Sequence, residues 1–406
     1  ALEYVSFDVN EYLNKFNINL DSNQKQMNLF ETEENNQNSN AELNSVYAYL
    51  IKKIADKLYE KLKELDLIDL FEKIEMPVSE VLAQMQYDGM YVDKNKLIEY
   101  GKELQTKKDE LTKEIYALCN QEFNINSPKQ LGEVLFEKLQ LPSGKKNKNG
   151  YSTDVDVLEK IRNEHPVVEK ILDYRQITKL ITTYVDGLIP YINKYTEKIY
   201  SYFHQTVTAT GRISSSDPNL QNIPTRIELG RGLRKAFKPS EGNVFVDADY
   251  SQIELRILAH ISEDKHMVSA FNNDEDIHSQ AASKIFNIDL KDVTKEQRGK
   301  AKAVNFGIVY GISDFGLGEQ IGTSRKQAKQ YIEEYLNEYK GIKNFMNNIV
   351  EVAKEKGYVE TLYKRRRYVP EIKSNNYVVR QFGTRVAMNT PIQGTAADIM
   401  KIAMID

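Results

Sequence analysis

Apolar residues recur at helical spacing along most of the chain. Over residues 46–70 they alternate with lysines every three or four positions, which is typical of an amphipathic helix with one buried face. Another helix is predicted after Ser127, because Ser127 and Gln130 are spaced as a capping box and Pro128 takes the favoured first-turn position. Longer helices are predicted at residues 252–261, 295–310, 324–339 and 340–355.

Strand patterns are confined to the middle of the chain. Residues 200–207 alternate aromatic or β-branched with polar side chains, and residues 243–249 form a short apolar run that ends in acids. The polar, Asn- and Glu-rich residues 23–45 are predicted to be a linker, and residues 141–153 a loop of small and basic residues. Together these patterns predict an α+β fold in which helix dominates.

Composition narrows the class of protein. A chain of 406 residues has room for two or three domains. Its single cysteine, Cys119, excludes an internal disulfide and a multi-thiolate zinc site. No apolar run approaches the roughly 18 residues of a membrane span, and the mean hydropathy is −0.55. We therefore expect a soluble cytoplasmic protein. The first residue is Ala and the last residues are apolar, so we expect both ends to be cuts.

Charge is unevenly distributed. The net charge of −4 taken alone argues against a nucleic-acid partner, but residues 1–45 carry −6 of it and leave +2 for the rest. Residues 361–385 contain seven basic side chains against the single acid Glu371, and this cluster is predicted to attract a polyanion. The seven are Lys364, Arg365, Arg366, Arg367, Lys373, Arg380 and Arg385.

Two acids end the second predicted strand. A carboxylate projected from a strand end, just before a helix, is well placed to hold a hard divalent cation, and Asp249 is the first candidate. Asp247 points to the same face if the segment is a strand. The alternative is that both acids merely solubilise the strand end.

Four side chains repeat every four positions in the helix predicted at residues 295–310. Arg298, Lys302, Phe306 and Tyr310 would form a slowly winding row about 18 Å long on one helix face. Two cations followed by two rings suit a row that grips a triphosphate and stacks on a base. The alternative is an ordinary amphipathic helix whose two rings lie in a core.

Four ordered motifs resemble family A DNA polymerases. They are DYSQIELR at 249–256, RxxxKxxxFxxxYG at 298–311, TATGRISSSDPNLQNIP at 208–224 and MNTPIQGTAADI at 388–399, and the similarity extends from about residue 74 to the last residue. The resemblance implies a right-hand polymerase with thumb, fingers and an incomplete palm antiparallel sheet. It also implies a DNA-directed DNA polymerase, a magnesium-dependent nucleotidyltransferase that adds deoxynucleotides to a primer 3′ end in DNA replication and repair.

The same resemblance assigns roles residue by residue. Asp249 would bridge two Mg2+ ions with the Tyr250 carbonyl beside it, and Arg298 and Lys302 would clamp the triphosphate. Glu254, supported by Tyr310, would exclude a ribose 2′-hydroxyl. Further nucleotide contacts are assigned to Gln252, His278, Phe306 and Tyr310. DNA contacts are assigned to Thr208, Arg212, Asn222, Arg226, Arg385, Asn389 and Gln393, although Asn389 and Gln393 could instead pair with each other.

The resemblance also gives domains, partners and a location. The predicted domains are an exonuclease-like remnant with an acidic linker and helix at 1–70, thumb and palm entry at 71–200, and palm at 201–262, then fingers at 263–370 and the start of a return to the palm at 371–406. Primer–template DNA and deoxynucleoside triphosphates are the expected partners. We expect a monomer in the nucleoid-associated cytoplasm, with no membrane partner.

The motifs depart from the family pattern near the last residue given. The family's second catalytic carboxylate lies in an HDE hairpin, which does not occur within residues 1–406. We therefore expect this chain alone to be inactive or nearly so. A non-catalytic DNA-binding module is the alternative, and a single-subunit RNA polymerase is disfavoured by Glu254.

Overall fold

The computed structural model describes residues 37–142, 150–224 and 228–406. The chain divides into two compact units. Unit 1 contains the described residues of 37–82, 204–213 and 248–406, and unit 2 contains those of 83–203 and 214–247. Helix dominates and the sheets are small and antiparallel, so the predicted α+β class is confirmed.

The chain enters unit 1 through helices. Helix α1 spans Gln37–Glu64 and α2 spans Ile68–Leu70, followed by a π-helical turn at Phe71–Glu75 and by α3 at Met76–Asp88. The helix predicted at residues 46–70 is therefore confirmed in the main, but it begins earlier. The linker prediction is wrong for residues 37–45, where the backbone continues the helix, and residues 23–36 lie outside the described part.

Unit 2 combines helices with a three-stranded sheet. Strand β1 (Met90–Val92) lies between β2 (Lys198–Ile199) and β5 (Phe237–Lys238), with Tyr91 opposite Lys198 on one side and Lys238 on the other. The core lies between the sheet and the long helices and is apolar, with Leu97, Leu104 and Val92 fully buried. The elements are β1 Met90–Val92, α4 Lys94–Cys119, α5 Pro128–Gly132, a π-helical turn Glu133–Lys138, α6 Val155–Lys160, α7 Pro166–Lys179, a second π-helical turn Leu180–Val185, β2 Lys198–Ile199, β3 Tyr202–His204, β4 Ser214–Ser216, α8 Glu228–Arg234 and β5 Phe237–Lys238.

The rest of unit 1 is a helical body with one hairpin. Strands β6 and β7 pair antiparallel, with Val359 opposite Arg367. Its main core gathers the apolar faces of α9 to α16 around Leu258, Val304 and Tyr335. The elements are α9 Ile253–Ser262, α10 Lys265–Asn272, α11 Ile277–Phe286, α12 Lys295–Val309, α13 Asp314–Ile321, α14 Arg325–Glu338, α15 Lys340–Lys356, β6 Tyr358–Glu360, β7 Arg366–Tyr368 and α16 Tyr377–Ile405.

Local capping explains where these helices begin. The Thr294 hydroxyl accepts the backbone N–H of Gln297, and the Gln297 side-chain oxygen accepts the backbone N–H of Thr294. Helix α12 therefore starts with a complete capping box. Ser127 caps α5 in the same way, but the Gln130 side chain bonds the Asn124 N–H instead, so that box is half formed. The four longer predicted helices are confirmed to within two residues at each end.

The strand predicted at residues 243–249 is wrong. The segment has no ladder partner in the described part of the chain, and Val244, Phe245 and Val246 are 80%, 55% and 87% exposed. An apolar run becomes a strand only when a neighbour supplies the hydrogen bonds. The strand predicted at residues 200–207 is shorter than expected, since β3 covers Tyr202–His204 only. Within the loop predicted at residues 141–153, residues 143–149 lie outside the described part.

No helix in the described residues is both long enough and apolar enough to cross a membrane.

Candidate nucleotide and primer-terminus site

The predicted row on α12 is a surface feature of unit 1. The rings of Phe306 and Tyr310 stack at 6.5 Å with an interplanar angle of 16°, and the Lys302 Nζ lies 6.0 Å from the Phe306 centroid. The opposite face of α12 enters the core through Ala301, Val304 and Ile308. Because Tyr310 is 44% exposed and Phe306 only partly buried, the alternative of two core rings is wrong.

Arg298 begins the row and is held by an acid. Its Nε donates to Asp276 Oδ2 at 2.5 Å and its Nη2 to Oδ1 at 3.2 Å. Asp276 also caps α11, since it accepts the backbone N–H of His278. Although burial opposes it, the Arg298 pair lowers the pKa of Asp276 to about 2. Two of the five guanidinium N–H groups are used in this pair, and the others suit a phosphate.

His278 is buried beside this pair. Its Nδ1 lies 2.9 Å from the amide nitrogen of Asn305, and because an amide N–H₂ only donates, Nδ1 accepts and the ring proton belongs on Nε2. Burial is the main cause that lowers the pKa of His278 to about 4, and the positive charges of Arg298 and Lys302 add to it. His278 is therefore a neutral hydrogen-bond donor at physiological pH.

Glu254 stands in the first turn of α9 with both carboxylate oxygens engaged. Oε2 accepts the Tyr310 hydroxyl at 2.7 Å, and Oε1 accepts Arg212 Nη2 at 2.5 Å. The residue is 7% exposed. Burial and the bond to Glu254 raise the pKa of Tyr310 to about 12, so its hydroxyl remains a donor. The predicted support of Glu254 by Tyr310 is present in the geometry.

Helix α16 adds Gln393 and Asn389 to the group formed by Glu254, Tyr310 and Arg212. The carbonyl oxygen of the Gln393 amide, in the orientation that satisfies both partners, accepts from Arg212 Nη2 and Nη1 at 3.1 and 3.2 Å. Asn389 Nδ2 donates to the Val309 carbonyl at 3.3 Å. These two residues therefore contact Arg212 and the end of α12 rather than each other.

Gly311 shows how closely α16 approaches α12. Its φ of +65° is a left-handed conformation that favours glycine, and a Cβ there would lie 3.0 Å from the side chains of Arg385 and Met388. The three predicted residues of α16, Arg385, Asn389 and Gln393, are thus all gathered near the end of α12 or Arg212.

The segment before α9 carries the remaining residues that were predicted to contact the nucleotide. Asp249 and Tyr250 are exposed and lie outside any helix or strand. Gln252 has a left-handed φ of +54°, and its buried Oε1 has no hydrogen-bond partner among the described residues. Such strain in a non-glycine residue is common at functional sites.

The three remaining predicted DNA contacts are one residue beside Arg212, one in unit 2 and one outside the described residues. Thr208 is in unit 1, where its hydroxyl donates to the Arg212 carbonyl at 2.5 Å. Asn222 is in unit 2, its side chain exposed and its carbonyl bonded by the Tyr184 hydroxyl. Arg226 lies outside the described residues.

Oxygen donors for a divalent cation are present but sparse. The Asp249 carboxylate and the Tyr250 carbonyl are the hard ligands that Mg2+ prefers. Within the described ranges no group of three or more His, Cys, Asp or Glu side chains comes together as a metal site. The Asp249 carboxylate and the Tyr250 carbonyl therefore fit a divalent cation, but they would supply only part of its ligands and other groups would supply the rest.

Three of the seven basic side chains in the predicted cluster at 361–385 form ion pairs. Lys364 pairs with Asp66, Arg366 with Glu360, and Arg365 with Glu75 and Asp398. Arg365 and Arg366 are therefore paired in mostly buried positions, the Lys364 pair lies on the surface, and docking of a polyanion at this cluster stays a prediction. Sequence reasoning missed Asp276, Asn305 and these acids. Of these residues only Asp276 could have been recognised from the sequence, because an acid just before a helix is typical of an N-cap.

Comparison with known proteins agrees with this geometry. DNA polymerase I of Lactococcus lactis subsp. cremoris is 54% identical over 358 residues, and DNA polymerase I of Bacillus subtilis is 51% identical over 360. Each alignment covers 88% of this chain and 41% of the relative, so the chain spans about two fifths of their length. A solved structure, the POL domain of Pol1 from M. smegmatis in complex with DNA primer-template and dNTP, is 37% identical with a TM-score of 0.86 and covers 98% of this chain and 68% of that one.

The sequence profile of DNA polymerase family A matches residues 94–406, which is most of the chain. The match includes the α12 row, Glu254 with its partners Arg212 and Tyr310, and α16. On this evidence the chain belongs to DNA polymerase family A.

Proposed function

We propose that the surface formed by Arg212, Glu254, α12 and α16 binds a deoxynucleoside triphosphate and the primer end of a primer–template. The protein then acts in DNA-directed DNA synthesis. The observation that carries this proposal is the ordered α12 row, with an anchored cation at one end and a ring beside Glu254 at the other.

Each part of the row suits one part of the nucleotide. Arg298 and Lys302 place two positive charges for the phosphates, and neutral His278 adds a donor without further charge. Phe306 supplies a flat face for a base, and stacking of that kind accepts any of the four bases. The Glu254 carboxylate, with both oxygens engaged, would oppose an added ribose hydroxyl. Gln252 would add a hydrogen-bond acceptor to this site, its buried Oε1, which has no partner among the described residues.

DNA would approach Arg212 and α16. Arg212 bonds to both Glu254 and Gln393. A primer end that contacts the Arg212 guanidinium would therefore be connected directly, through Arg212, to Glu254 in the nucleotide site. Arg385, Asn389 and Thr208 border the same place, and Asn222 and Arg226 are assigned further duplex contacts. Asp249 and the Tyr250 carbonyl would hold Mg2+, which when bound supplies positive charge at the reacting phosphate. We further propose the thumb, palm and fingers division, a monomer, and nucleoid-associated action.

Lys302→Ala tests the proposal without requiring turnover. With a chain-terminated primer on its template, the variant should weaken binding of the complementary nucleotide at least tenfold while leaving duplex affinity unchanged. Lys295→Ala, an exposed lysine at the start of the same helix, is the matched control and should change neither. Equal loss of nucleotide and duplex binding, or no loss of either, would refute the assignment.

A further inference from the structure

Gly211, the residue before Arg212, lies against a second arginine. Its φ is +83°, and a Cβ at this position would lie 2.6 Å from Nε and 2.8 Å from Cδ of Arg365. Both facts require glycine. The flank of the Arg365 guanidinium is therefore in direct contact with the backbone that carries Arg212.

Arg365 is itself fixed by a buried ion cluster, defined as Glu75, Arg365, Asp398 and Lys401. Its Nε donates to Asp398 Oδ1 at 2.8 Å, and its Nη2 contacts Glu75. Lys401 Nζ donates to the same Glu75 oxygen at 2.8 Å. The side chains of Asp398, Lys401 and Arg365 are 0%, 1% and 11% exposed. Two acids and two cations leave the cluster neutral.

The buried ion cluster joins three parts of unit 1. Glu75 belongs to the π-helical turn before α3, Arg365 to the β6–β7 hairpin, and Asp398 and Lys401 to α16. Thr361 strengthens the hairpin, since its hydroxyl donates to Asp398 Oδ2 at 2.7 Å and accepts the Arg365 N–H at 3.1 Å. Buried ion clusters are weak sources of stability but fix geometry well when every member is satisfied.

The cluster holds the segment of residues 205–212 at two points. Gln205 Nε2 donates to the Glu75 side chain at 2.9 Å and to its carbonyl at 3.0 Å, and Gly211 rests on Arg365. Between these points the segment borders a cavity of about 310 Å³ lined by apolar residues including Leu67, Leu70 and Phe71. Packing therefore supports the segment on only part of its surface, and the ion cluster provides its fixed points.

We propose that Arg365 is a positioning residue for Arg212. By supporting Gly211 it fixes the backbone from which Arg212 spans Glu254 and Gln393, and so sets the geometry in which Arg212 reads the primer terminus. The inference rests on the proposed function. The Arg212 side chain is 49% exposed, so its position depends on its bonds to Glu254 and Gln393 and on the backbone that carries it. A displacement of about 1 Å in a catalytic arrangement costs roughly 100-fold.

The test uses a chain-terminated primer with a matched or a mismatched 3′ end. The readout is the ratio of the two affinities in the presence of the next complementary nucleotide. Arg365→Lys keeps the charge but loses the planar contact with Gly211, and should lower the ratio about tenfold, towards that of Arg212→Ala. Affinity for a closed dumbbell duplex, which has no primer end, should stay within twofold of the wild-type value.

Two further variants separate positioning from folding. Gly211→Ala changes none of the four members of the buried ion cluster, but its Cβ would meet Arg365 Nε and so disturbs the contact from the side of Gly211. It tests the contact even if Arg365→Lys proves unstable, and it should give the same loss. Lys364→Ala removes the neighbouring charge, whose partner Asp66 is exposed, and should retain the wild-type ratio. In an Arg212→Ala background, Arg365→Lys should cause no additional loss of ratio.

Three results would overturn the proposal. They are an unchanged ratio in both Arg365→Lys and Gly211→Ala, an additive loss with Arg212→Ala, or a fall in dumbbell affinity equal to the fall for the matched primer. If the wild-type chain forms no nucleotide-stabilised complex, the proposed function fails and this inference fails with it. If that complex forms and the ratio is unchanged, only this inference fails.

Discussion

Glu254→Ala should remove the preference for deoxyribose. In the wild-type chain both Glu254 oxygens are occupied, one by the Tyr310 hydroxyl at 2.7 Å and one by Arg212 at 2.5 Å. A ribose 2′-hydroxyl placed against this carboxylate must either displace a donor or remain unpaired. The alanine variant removes the carboxylate and leaves room for the hydroxyl.

The size of the effect follows from the displaced bond. A hydrogen bond to a charged group contributes about 1.5–3 kcal/mol, which is roughly 10- to 160-fold in affinity. Because Tyr310 is 44% exposed, water replaces part of what is lost, and the lower part of that range applies. We therefore expect the wild-type chain to prefer dATP over ATP by about 10- to 40-fold on these grounds.

The assay compares dATP and ATP binding to a complex with a chain-terminated primer and a templating T. Glu254→Ala should bind the two with a ratio near one. Tyr310→Phe should also lose most of the preference, because the freed Oε2 can accept the 2′-hydroxyl. Glu355→Ala changes an exposed acid on α15 and is the control. A wild-type ratio in Glu254→Ala would refute the reasoning.

Three shorter predictions concern stability and reactivity. The pKa of His278 is lowered from 6.5 to about 4, so as the pH falls the unfolded state binds the extra proton before the folded state does. The free energy of unfolding should therefore fall by up to about 3 kcal/mol between pH 6.5 and pH 4. A melting series in which His278→Phe retains the same pH dependence would contradict this. Asp264→Ala should cost about 2–3 kcal/mol, seen as a lower melting temperature, because the buried carboxylate accepts N–H groups from both Met267 and Gly341; an unchanged melting temperature would exclude this double cap. Burial raises the pKa of the Cys119 thiol, so a thiol reagent should label it slowly in the native protein and quickly in denaturant, and equal rates would show that the site is open.

Periodicity predicted the helices because each buries a continuous apolar face. Helix α12 illustrates this, since Ala301, Val304 and Ile308 fill the core while the four-residue row stays outside. The same periodicity could not decide between a core ring and an exposed one at Phe306, because that depends on whether another helix covers it.

Long-range pairing was not predictable. The segment 243–249 reads as a strand from its own residues, yet strand formation requires hydrogen bonds from a neighbour. The basic run at 361–385 reads as a free positive surface, yet Glu75 and Asp398 neutralise Arg365 from distant positions in the sequence. The ion partners of a charged side chain depend on the fold and leave no local pattern.

The central claim is that this chain selects a nucleotide against a template base. The direct measurement is the affinity of each of the four dNTPs for the chain bound to chain-terminated primers on each of the four templating bases, with Mg2+ present. We expect tight, duplex-dependent binding only for the four complementary pairs, and its loss in Lys302→Ala. Equal binding of all four nucleotides whatever the template base, or binding that does not require DNA, would contradict it.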